Sequence, residues 1–378
     1  MSKKSRLIFL ACPWHPLGGG MFKVTDYLVQ HQAHGAGDAE LRPLDTRGGG
    51  SVLLSLYFLP KAMLTLLWHQ INGRLAGVHV NMAERASAVR KGLLVVFARL
   101  IGARVLIHLH AAQLHLVYRA LPGPLQALLR WVFSLAHEVL VLGTSSRAFV
   151  LDELQCLPER VRIVINGVPA PKCIRRGEEV AGRPFRILFV GNLSERKGVS
   201  DLLTAFTQLG KPTTTWHVTL AGGGDVEGYR RRARDLGLGG NVEFIGWAHQ
   251  THVADLMANA DLLVLPSYDE GLPLVILEAL AIGLAVICTP VGEIPSTFVD
   301  GRDVLFVPPG DSKAITAALQ RLIAEPDLRR SLEVRGCAYH RQAFSIEAFF
   351  SAVAQAHQRV FGASARFDPR GAARAYEA

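Results

Sequence analysis

The chain has 378 residues, 49% of them apolar and 19% charged, which suits two packed domains and excludes a disordered chain. Its five scattered cysteines contain no C-x-x-C pair, which disfavours a disulfide framework or structural zinc and favours a reducing, cytoplasmic compartment. The net charge of +9 comes entirely from residues 1–180, which hold 21 Lys+Arg against 11 Asp+Glu, whereas residues 181–378 hold 20 against 21.

This basic first half carries no dense Lys/Arg run interleaved with aromatic residues, so we do not expect nucleic acid as a partner. An anionic membrane surface, or a ligand that carries phosphate, explains the charge better. A basic surface that is merely solvated is the alternative.

Strand-like apolar runs alternate with helix-like segments along most of the chain. Most of these runs are continuously apolar, as in RVLIHLH and DLLVLPS, which is typical of parallel strands covered on both faces. The alternation predicts an α/β protein with two Rossmann-like, doubly wound domains.

One segment interrupts this rhythm and divides the chain. Residues 168–184 are rich in Pro, Gly and charge, so we interpret them as a linker. The predicted domains are therefore residues 1–167 and residues 185–343. Residues 344–378 form an amphipathic helix and a tail, which we expect to pack back on the N-terminal domain.

The N-terminus has a basic start and a short apolar run. Because the run spans only about eight residues and leads into a glycine-rich turn, we interpret it as a first β-strand rather than a secretion signal. Gly19 and Gly20 in that turn precede a helix-like segment and permit close backbone approach to a sugar or phosphate. The turn lacks a full G-x-G-x-x-G fingerprint and is a weak signal alone.

Two apolar stretches resemble membrane segments in composition. Residues 51–70 approach the roughly 20-residue length of a membrane span. Pro60 and Lys61 lie at the centre of that stretch, where a charge would be costly in a bilayer. Residues 92–109 divide into a helix and a strand. We expect both stretches to be buried elements, with the first at most touching a membrane surface.

Two histidines, His108 and His110, alternate with leucines at the end of a predicted strand. A histidine in such a place is more often structural than catalytic. We expect His108 to point to the opposite face of the sheet from His110.

The segment FVGNLSERKGVSDLL, residues 189–203, is typical of a strand, a loop and the start of a helix. Arg196 and Lys197 project from the loop, and Gly198 lets the backbone turn close to a ligand. Cations at the mouth of a strand can neutralise a diphosphate leaving group. The alternative is a pair of exposed, solvated charges.

The segment SYDEGLPLVILEALAIG, residues 267–283, follows a predicted strand, and Pro273 suits the first turn of the next helix. Ligands bind at this end of a parallel strand, and the free N–H groups of the helix attract phosphate. Glu270 lies in the loop, whereas Glu278 lies within the helix and can lean back toward its N-terminus. Carboxylates accept hydrogen bonds from sugar hydroxyls, so both residues are candidates to bind the sugar or the ribose. The alternative is that Glu270 caps the helix and that Glu278 forms a surface ion pair.

These motifs and their flanks resemble the retaining family 4 glycosyltransferases, which have the GT-B fold of two Rossmann-like domains facing across a cleft. The resemblance covers most of the chain and is strongest from about residue 185 to 310. It implies that the first domain serves the acceptor and that the second binds the nucleotide sugar. In the family's Glu-Gly-x6-Glu hallmark, Glu270 and Gly271 contact the transferred sugar, Glu278 binds the ribose, and the Leu274 amide binds the diphosphate.

Further roles follow from the resemblance alone. Lys197 matches the family lysine that stabilises the leaving diphosphate, and His110 matches a histidine near the reactive carbon of the sugar. The family arginine after the first glycine is absent at Asn192, and we expect Arg196 to replace it. The resemblance also implies that the loop of Gly19 and Gly20 closes over the donor, and that Trp247 and Ala248 lie beside the nucleotide base. The chain departs from the family pattern at Ala111, Glu293 and Ser296.

The resemblance implies transfer of a hexose from a nucleoside-diphosphate sugar to an acceptor hydroxyl, with retention. Within the family, the sequence pattern of the chain most resembles that of bacterial envelope or exopolysaccharide enzymes. Their acceptors are often lipid-linked sugars, so we expect the chain to bind peripherally at the inner face of a membrane. No Asp-x-Asp motif ends a strand, and we expect independence of metals and cofactors. A nucleotide-sugar epimerase and a degenerate, non-catalytic membrane-associated scaffold are the alternatives.

Overall fold

The computed structural model describes residues 6–15, 19–50, 52–170, 183–209 and 215–370. The chain forms two compact units, of which the first comprises Met1–Val168 with Ile346–Ala378, and the second comprises Pro169–Ser345. Most of the predicted linker, residues 171–182, lies outside the described residues.

The first unit is built on a sheet of six parallel strands in the order β2-β1-β3-β4-β5-β6. The four interior strands are almost wholly buried, because helices cover both faces of the sheet. The strands are β1 (Arg6–Cys12), β2 (Ala39–Asp45), β3 (Leu75–Met82), β4 (Val105–Leu109), β5 (Glu138–Val141) and β6 (Val161–Ile163). The helices between them are α1 (Gly19–Gln30), α2 (Ser55–Ile71), α3 (Ala86–Leu100), α4 (Leu114–Ala120), α5 (Gly123–Ser134) and α6 (Thr144–Asp152).

The second unit repeats this plan in the order β12-β11-β10-β7-β8-β9, again with all strands parallel. Since β7 neighbours β10, the loops that follow these two strands meet at the carboxyl edge of the sheet. The strands are β7 (Phe185–Val190), β8 (Trp216–Ala221), β9 (Val242–Gly246), β10 (Leu262–Leu265), β11 (Ala285–Cys288) and β12 (Leu305–Phe306). The helices are α7 (Val199–Gln208), α8 (Val226–Asp235), α9 (Gln250–Asn259), α10 (Leu274–Ala281), α11 (Ile294–Thr297), α12 (Ser312–Ala324) and α13 (Pro326–Ala343).

The last helix, α14 (Ile346–Phe361), packs on the sheet of the first unit. A Cβ added to Gly77 of β3 would overlap the Phe361 ring, so glycine is needed for this close packing. The Arg359 guanidinium is 2.6 Å from the Glu138 carboxylate at the start of β5, and the Arg104 guanidinium donates to the Val360 carbonyl oxygen at 2.7 Å. Helix α14 is therefore part of the first unit, although it follows the second unit in the chain.

The prediction of two Rossmann-like α/β domains is confirmed, and the segment read as a first strand forms β1. Two edge strands, the seven-residue β2 and the two-residue β12, were not predicted. The second apolar stretch divides into α3 and β4, as expected. The expectation that residues 51–70 are buried is wrong, because α2 buries only Ser55, Ala62 and Leu66 and exposes its opposite face. Across the described residues, no helix is long and apolar enough to cross a membrane.

Candidate functional site

Lys197 and Glu270 meet at the carboxyl edge of the second unit's sheet, where β7 and β10 end. The Lys197 ammonium donates a hydrogen bond to Glu270 Oε1, and the Ser267 hydroxyl donates to the same oxygen at 2.7 Å. Glu270 and Ser267 are buried, and little of the Lys197 side chain is exposed. The sequence motifs at residues 189–203 and 267–283 thus form one site, although about seventy positions separate them.

The glycine at position 198 allows the loop that carries Lys197 to approach the loop that carries Glu270. Gly198 has a φ of 68°, and a Cβ added there would overlap the carbonyl oxygen of Pro266. A backbone hydrogen bond also joins the two loops, since the Tyr268 amide donates to the Arg196 carbonyl oxygen at 2.9 Å. The Arg196 guanidinium in turn donates to the Asp269 carbonyl oxygen at 2.7 Å, which directs this cation to the loop that carries Glu270.

The loop after β11 supports Glu270 from another side. Gly292 has a φ of 59°, and a Cβ added there would overlap the Glu270 carbonyl oxygen. The amide of Glu293, a buried residue, donates to the Gly271 carbonyl oxygen at 3.0 Å. Sequence reasoning treated Glu293 only as a departure from a pattern, and the one signal of its role was a Gly-Glu pair after a buried strand.

Helix α10 carries Glu278 in its second turn, at a half-buried position. Pro273 precedes the helix in an extended conformation, so its missing N–H costs no helical hydrogen bond. Most of α10 is buried, and its half-buried positions, Val275, Glu278 and Ala281, recur at a spacing of three residues. Leu274 is the first helical residue, so its amide is among the N–H groups free to bind an anion.

A second glycine-rich loop, residues 222–224 after β8, lies against the loop after β7. A Cβ added to Gly222 would overlap the carbonyl oxygen of Gly191, and a Cβ on Gly224 would overlap that of Leu193. The Leu193 amide donates to the Gly223 carbonyl oxygen at 2.7 Å. Asn192, where the family has arginine, faces this loop. Sequence reasoning missed the loop, although three glycines after a predicted strand were visible.

Trp247 follows β9 and is exposed, with its ring perpendicular to that of His249 at a centroid distance of 4.4 Å. Ala248 beside it is half-buried. An exposed indole at the carboxyl end of a strand offers a flat surface on which a planar base can stack.

In the first unit, His110 follows β4 and its Nε2 is 3.0 Å from the side-chain oxygen of Asn81. The expectation that His108 points to the opposite face is wrong, because residues two apart on a strand share a face. The ring centroids of His108 and His110 are only 4.1 Å apart. Burial lowers the pKa of His110 well below its usual range, so this imidazole is neutral at pH 7.

Asn81 also connects His110 to helix α1. Its amide nitrogen donates to the Thr25 hydroxyl at 3.1 Å, and its backbone carbonyl accepts from the ammonium of Lys91. Lys91 is fully buried, and this burial lowers its pKa to about 8. Gly19 and Gly20 lie in the exposed first turn of α1, the helix whose Thr25 accepts the hydrogen bond from Asn81.

Among the described residues, no group of three His, Cys, Asp or Glu side chains could hold a metal ion. The charged residues that the sequence predicted for the carboxyl edge of the second unit are instead Lys197, Arg196, Glu270 and Glu278.

Comparison with known proteins finds sequence matches to the second unit. Residues 172–336 match the family model described as "Glycosyl transferases group 1". The chain is 29% identical over 179 residues to the amylovoran biosynthesis glycosyltransferase AmsK of Erwinia amylovora, covering 46% of this chain and 44% of that protein. It is 34% identical over 170 residues to the lipopolysaccharide core biosynthesis glycosyltransferase LpsE of Rhizobium meliloti, covering 45% and 48%. The chain thus matches about half the length of these relatives.

Solved structures match both units together. The sucrose-phosphate synthase of Thermosynechococcus elongatus has a TM-score of 0.73 at 20% identity, covering 94% of this chain and 99% of that one. HepE of Anabaena, in complex with UDP-glucose, has a TM-score of 0.70 at 18% identity, with 94% and 99% covered. These likenesses confirm the GT-B fold that the sequence predicted.

Proposed function

Because residues 172–336 match the family model of the group 1 glycosyl transferases, we propose that this chain transfers a sugar from a nucleoside-diphosphate sugar to an acceptor hydroxyl. The observation that carries the proposal is the contact of Lys197 with Glu270 beside the N-terminus of α10. A cation, a carboxylate and free helix N–H groups are the groups needed to hold a diphosphate next to a sugar.

The donor binds along the carboxyl edge of the second unit. The diphosphate lies at the N-terminus of α10, where the Leu274 amide, Lys197 and Arg196 offset its charge. Glu278 accepts the ribose hydroxyls, Glu270 and Gly271 contact the transferred sugar, and the base stacks beside Trp247 and Ala248. Lys197 and Glu270 neutralise each other in the free protein, so the site carries little net charge before the donor arrives.

The reaction retains the anomeric configuration through attack on the face from which the diphosphate leaves. The bond from the anomeric carbon to the phosphate oxygen breaks while a bond to the acceptor oxygen forms. The acceptor's proton passes to the departing phosphate oxygen, so no protein nucleophile is required. Negative charge builds on the diphosphate during this step, and Lys197 and Arg196 stabilise it most when that charge is greatest.

The first unit serves the acceptor. His110 is neutral and held by Asn81, so it can accept or donate one hydrogen bond to a sugar hydroxyl without adding charge. Gly19 and Gly20 leave the first turn of α1 open to close approach. The reaction requires no metal or organic cofactor, because the cations and the helix N-terminus act on the leaving group.

The acceptor is a lipid-linked sugar or a growing polysaccharide of the bacterial envelope, and the transferred group is a hexose. The names of AmsK and LpsE, which refer to amylovoran and to lipopolysaccharide core biosynthesis, support this class of acceptor. The enzyme works on the cytoplasmic side, as a peripheral protein at the inner face of the membrane.

The outer helical layer of the first unit, formed by α2, α3 and α5, suits this location. The charged residues of these three helices are all cations, Lys61, Arg90, Lys91, Arg99 and Arg130, and all of them except Lys91 reach the surface at least in part. Helix α2 contacts α3, which contacts α5. Their outward faces expose large apolar side chains, which are Tyr57, Leu64, Trp68 and Ile71 of α2, Val89, Leu93 and Leu100 of α3, and Leu125, Leu128 and Trp131 of α5. Apolar groups among cations fit an anionic lipid surface.

The test of the proposed activity is acceptor-dependent release of nucleoside diphosphate. The chain is incubated with UDP-, GDP- and ADP-sugars, with and without bacterial lipid extract as acceptor. A transferase releases nucleoside diphosphate only when both are present and labels the lipid fraction. An epimerized nucleotide sugar formed without acceptor, or binding without any turnover, would overturn the proposal.

A further inference from the structure

Arg47 and Arg90 form an unusual pair of half-buried cations at the carboxyl edge of the first unit's sheet. Arg47 lies two residues after β2, and Arg90 lies in the second turn of α3, directly after β3. The strands β2 and β3 flank β1, so both residues belong to the same edge. The Nε atom of each guanidinium is buried and has no hydrogen-bond partner among the described residues.

Neither arginine has a carboxylate partner within the part of the chain that the structure describes. The nearest acid in sequence, Asp45, is occupied by backbone, because its Oδ1 accepts from the amides of Trp14, Arg47 and Gly48. Arg359, another cation of the first unit, lies 2.6 Å from Glu138. Partly buried charges are normally compensated in this way, so an uncompensated pair indicates a missing counter-ion.

The charge of Arg47 acts on Arg90. Burial lowers the pKa of Arg90, and the charge of Arg47 lowers it further. Arg90 adds to the effect of burial in lowering the pKa of Lys91. The charge of Arg47 thus disfavours the charged form of Arg90, and the charge of Arg90 disfavours that of Lys91, so a bound anion would relieve this cost.

We infer that Arg47 and Arg90 bind a phosphate group of the acceptor. The inference rests on the proposed function, which assigns the donor's diphosphate to the second unit and leaves this site to the other substrate. Guanidinium groups match phosphate oxygens in planar, bidentate pairs, and ligands of α/β sheets bind at this edge. The phosphate belongs to a lipid-linked diphosphate or to a phosphorylated sugar, and both offer the same oxygens to the arginines.

The experiment titrates the full chain with farnesyl diphosphate and, separately, glucose 1-phosphate by calorimetry. The donor site is first saturated with UDP, GDP or ADP, whichever raises the melting temperature most. Binding of farnesyl diphosphate alone indicates a lipid-linked acceptor, and binding of glucose 1-phosphate alone indicates a phosphorylated sugar. Arg47→Gln and Arg90→Gln should each weaken that binding at least about tenfold, as expected for loss of a charged hydrogen bond.

The matched control is Arg231→Gln, which removes the same charge from an exposed position of α8 and should leave both titrations unchanged. The nucleoside diphosphate should bind Arg47→Gln and Arg90→Gln as tightly as the unaltered chain, which also shows that they fold. Equal phosphate affinity in the unaltered chain and both variants, or no phosphate binding at all, would overturn the anion site. Failure of all three nucleoside diphosphates to bind would instead contradict the proposed function.

Discussion

Lys197 and Glu270 form an ion pair that is almost completely removed from solvent, and the Ser267 hydroxyl completes the coordination of the carboxylate oxygen. The two charges come from loops after neighbouring strands, so the pair also fixes the position of one loop against the other. The same contact therefore affects both the stability of the second unit and the electrostatics of the proposed donor site.

Replacing Lys197 should reduce activity and stability together. We expect Lys197→Met to lower kcat by on the order of 10²–10³, as for loss of a group that stabilises charge in the transition state. Unfolding in urea should show a loss of about 3–5 kcal/mol, because the Glu270 carboxylate stays buried without its cation. The double variant Lys197→Met/Glu270→Gln should regain most of this stability but none of the activity, whereas Lys313→Met, at an exposed position of α12, should change neither. Full stability in Lys197→Met would contradict the buried pair.

The two glutamates should differ in what they affect. Glu278→Ala should weaken binding of the nucleoside diphosphate by about 1.5–3 kcal/mol, since a charged hydrogen bond to the ribose is lost. Glu270→Gln should leave that affinity nearly unchanged and reduce turnover, because Glu270 contacts the transferred sugar. Calorimetry with the nucleoside diphosphate, followed by steady-state kinetics, separates the two effects. Unchanged affinity in Glu278→Ala would exclude the ribose contact.

Arg196 should contribute through its charge as well as through its hydrogen bond to Asp269. We expect Arg196→Ala to lower kcat by on the order of 10², because a second cation is lost beside the leaving group. Arg196→Lys retains the charge and should recover a large part of kcat in the same assay. Normal kinetics in Arg196→Ala would show that this arginine does not replace the one missing at Asn192.

Gly292 should be essential for the position of Glu270. Gly292→Ala forces a Cβ onto the Glu270 carbonyl oxygen, so the loop must move and turnover should fall at least tenfold. Gly301→Ala is the matched control, because Gly301 also has a positive φ, of 67°, but a Cβ there has open space. That control should cost only the backbone strain of roughly 1–2 kcal/mol and retain its activity. Equal kinetics in both variants would mean that the close approach does not matter.

Membrane binding should depend on the outer face of α2. The full chain should sediment with anionic phosphatidylglycerol vesicles at low salt and dissociate at high salt, since each cation near the surface contributes about 1 kcal/mol. Leu64 and Trp68 are 65% and 66% exposed, and the double variant Leu64→Ser/Trp68→Ser should bind much more weakly. Val334→Ser, at an exposed apolar position of α13 in the second unit, should bind normally.

Three results would contradict this prediction of peripheral binding. Absence of binding at low salt would refute the lipid surface as a partner. Release by detergent alone would indicate that residues 51–70 insert into the bilayer. Self-association that the double variant abolishes, measured by sedimentation without lipid, would assign the apolar face to a second copy of the chain.

Continuous apolar runs were enough to predict most of the strands, because a strand covered on both faces must be apolar at every position. The edge strand β2 escaped this criterion, since it carries Glu40, Arg42 and Pro43, which only a strand with one free side tolerates. The shared face of His108 and His110 followed from strand periodicity and was nonetheless misassigned.

Those parts of the candidate site were predictable whose residues lie together in one sequence motif. The motifs around Lys197 and Glu270 each placed charged residues after a buried strand, and the sheet order then brought them together. The support from Gly292 and Glu293 left only a Gly-Glu pair as its signal in the sequence, because the contact itself depends on how separate loops pack. Likewise, the outward face of α2 is as apolar as its inner face, so hydropathy alone could not tell exposed from buried residues.

The position of α14 has a consequence for the order in which the chain can fold during synthesis. The second unit, Pro169–Ser345, is continuous and can fold as soon as it has left the ribosome. The first unit is translated earlier, but its packing cannot be completed until α14 has been synthesised. Only then can Phe361 cover Gly77 and Arg359 pair with Glu138. Until then, the apolar face that α14 later covers stays open to chaperones in the nascent chain.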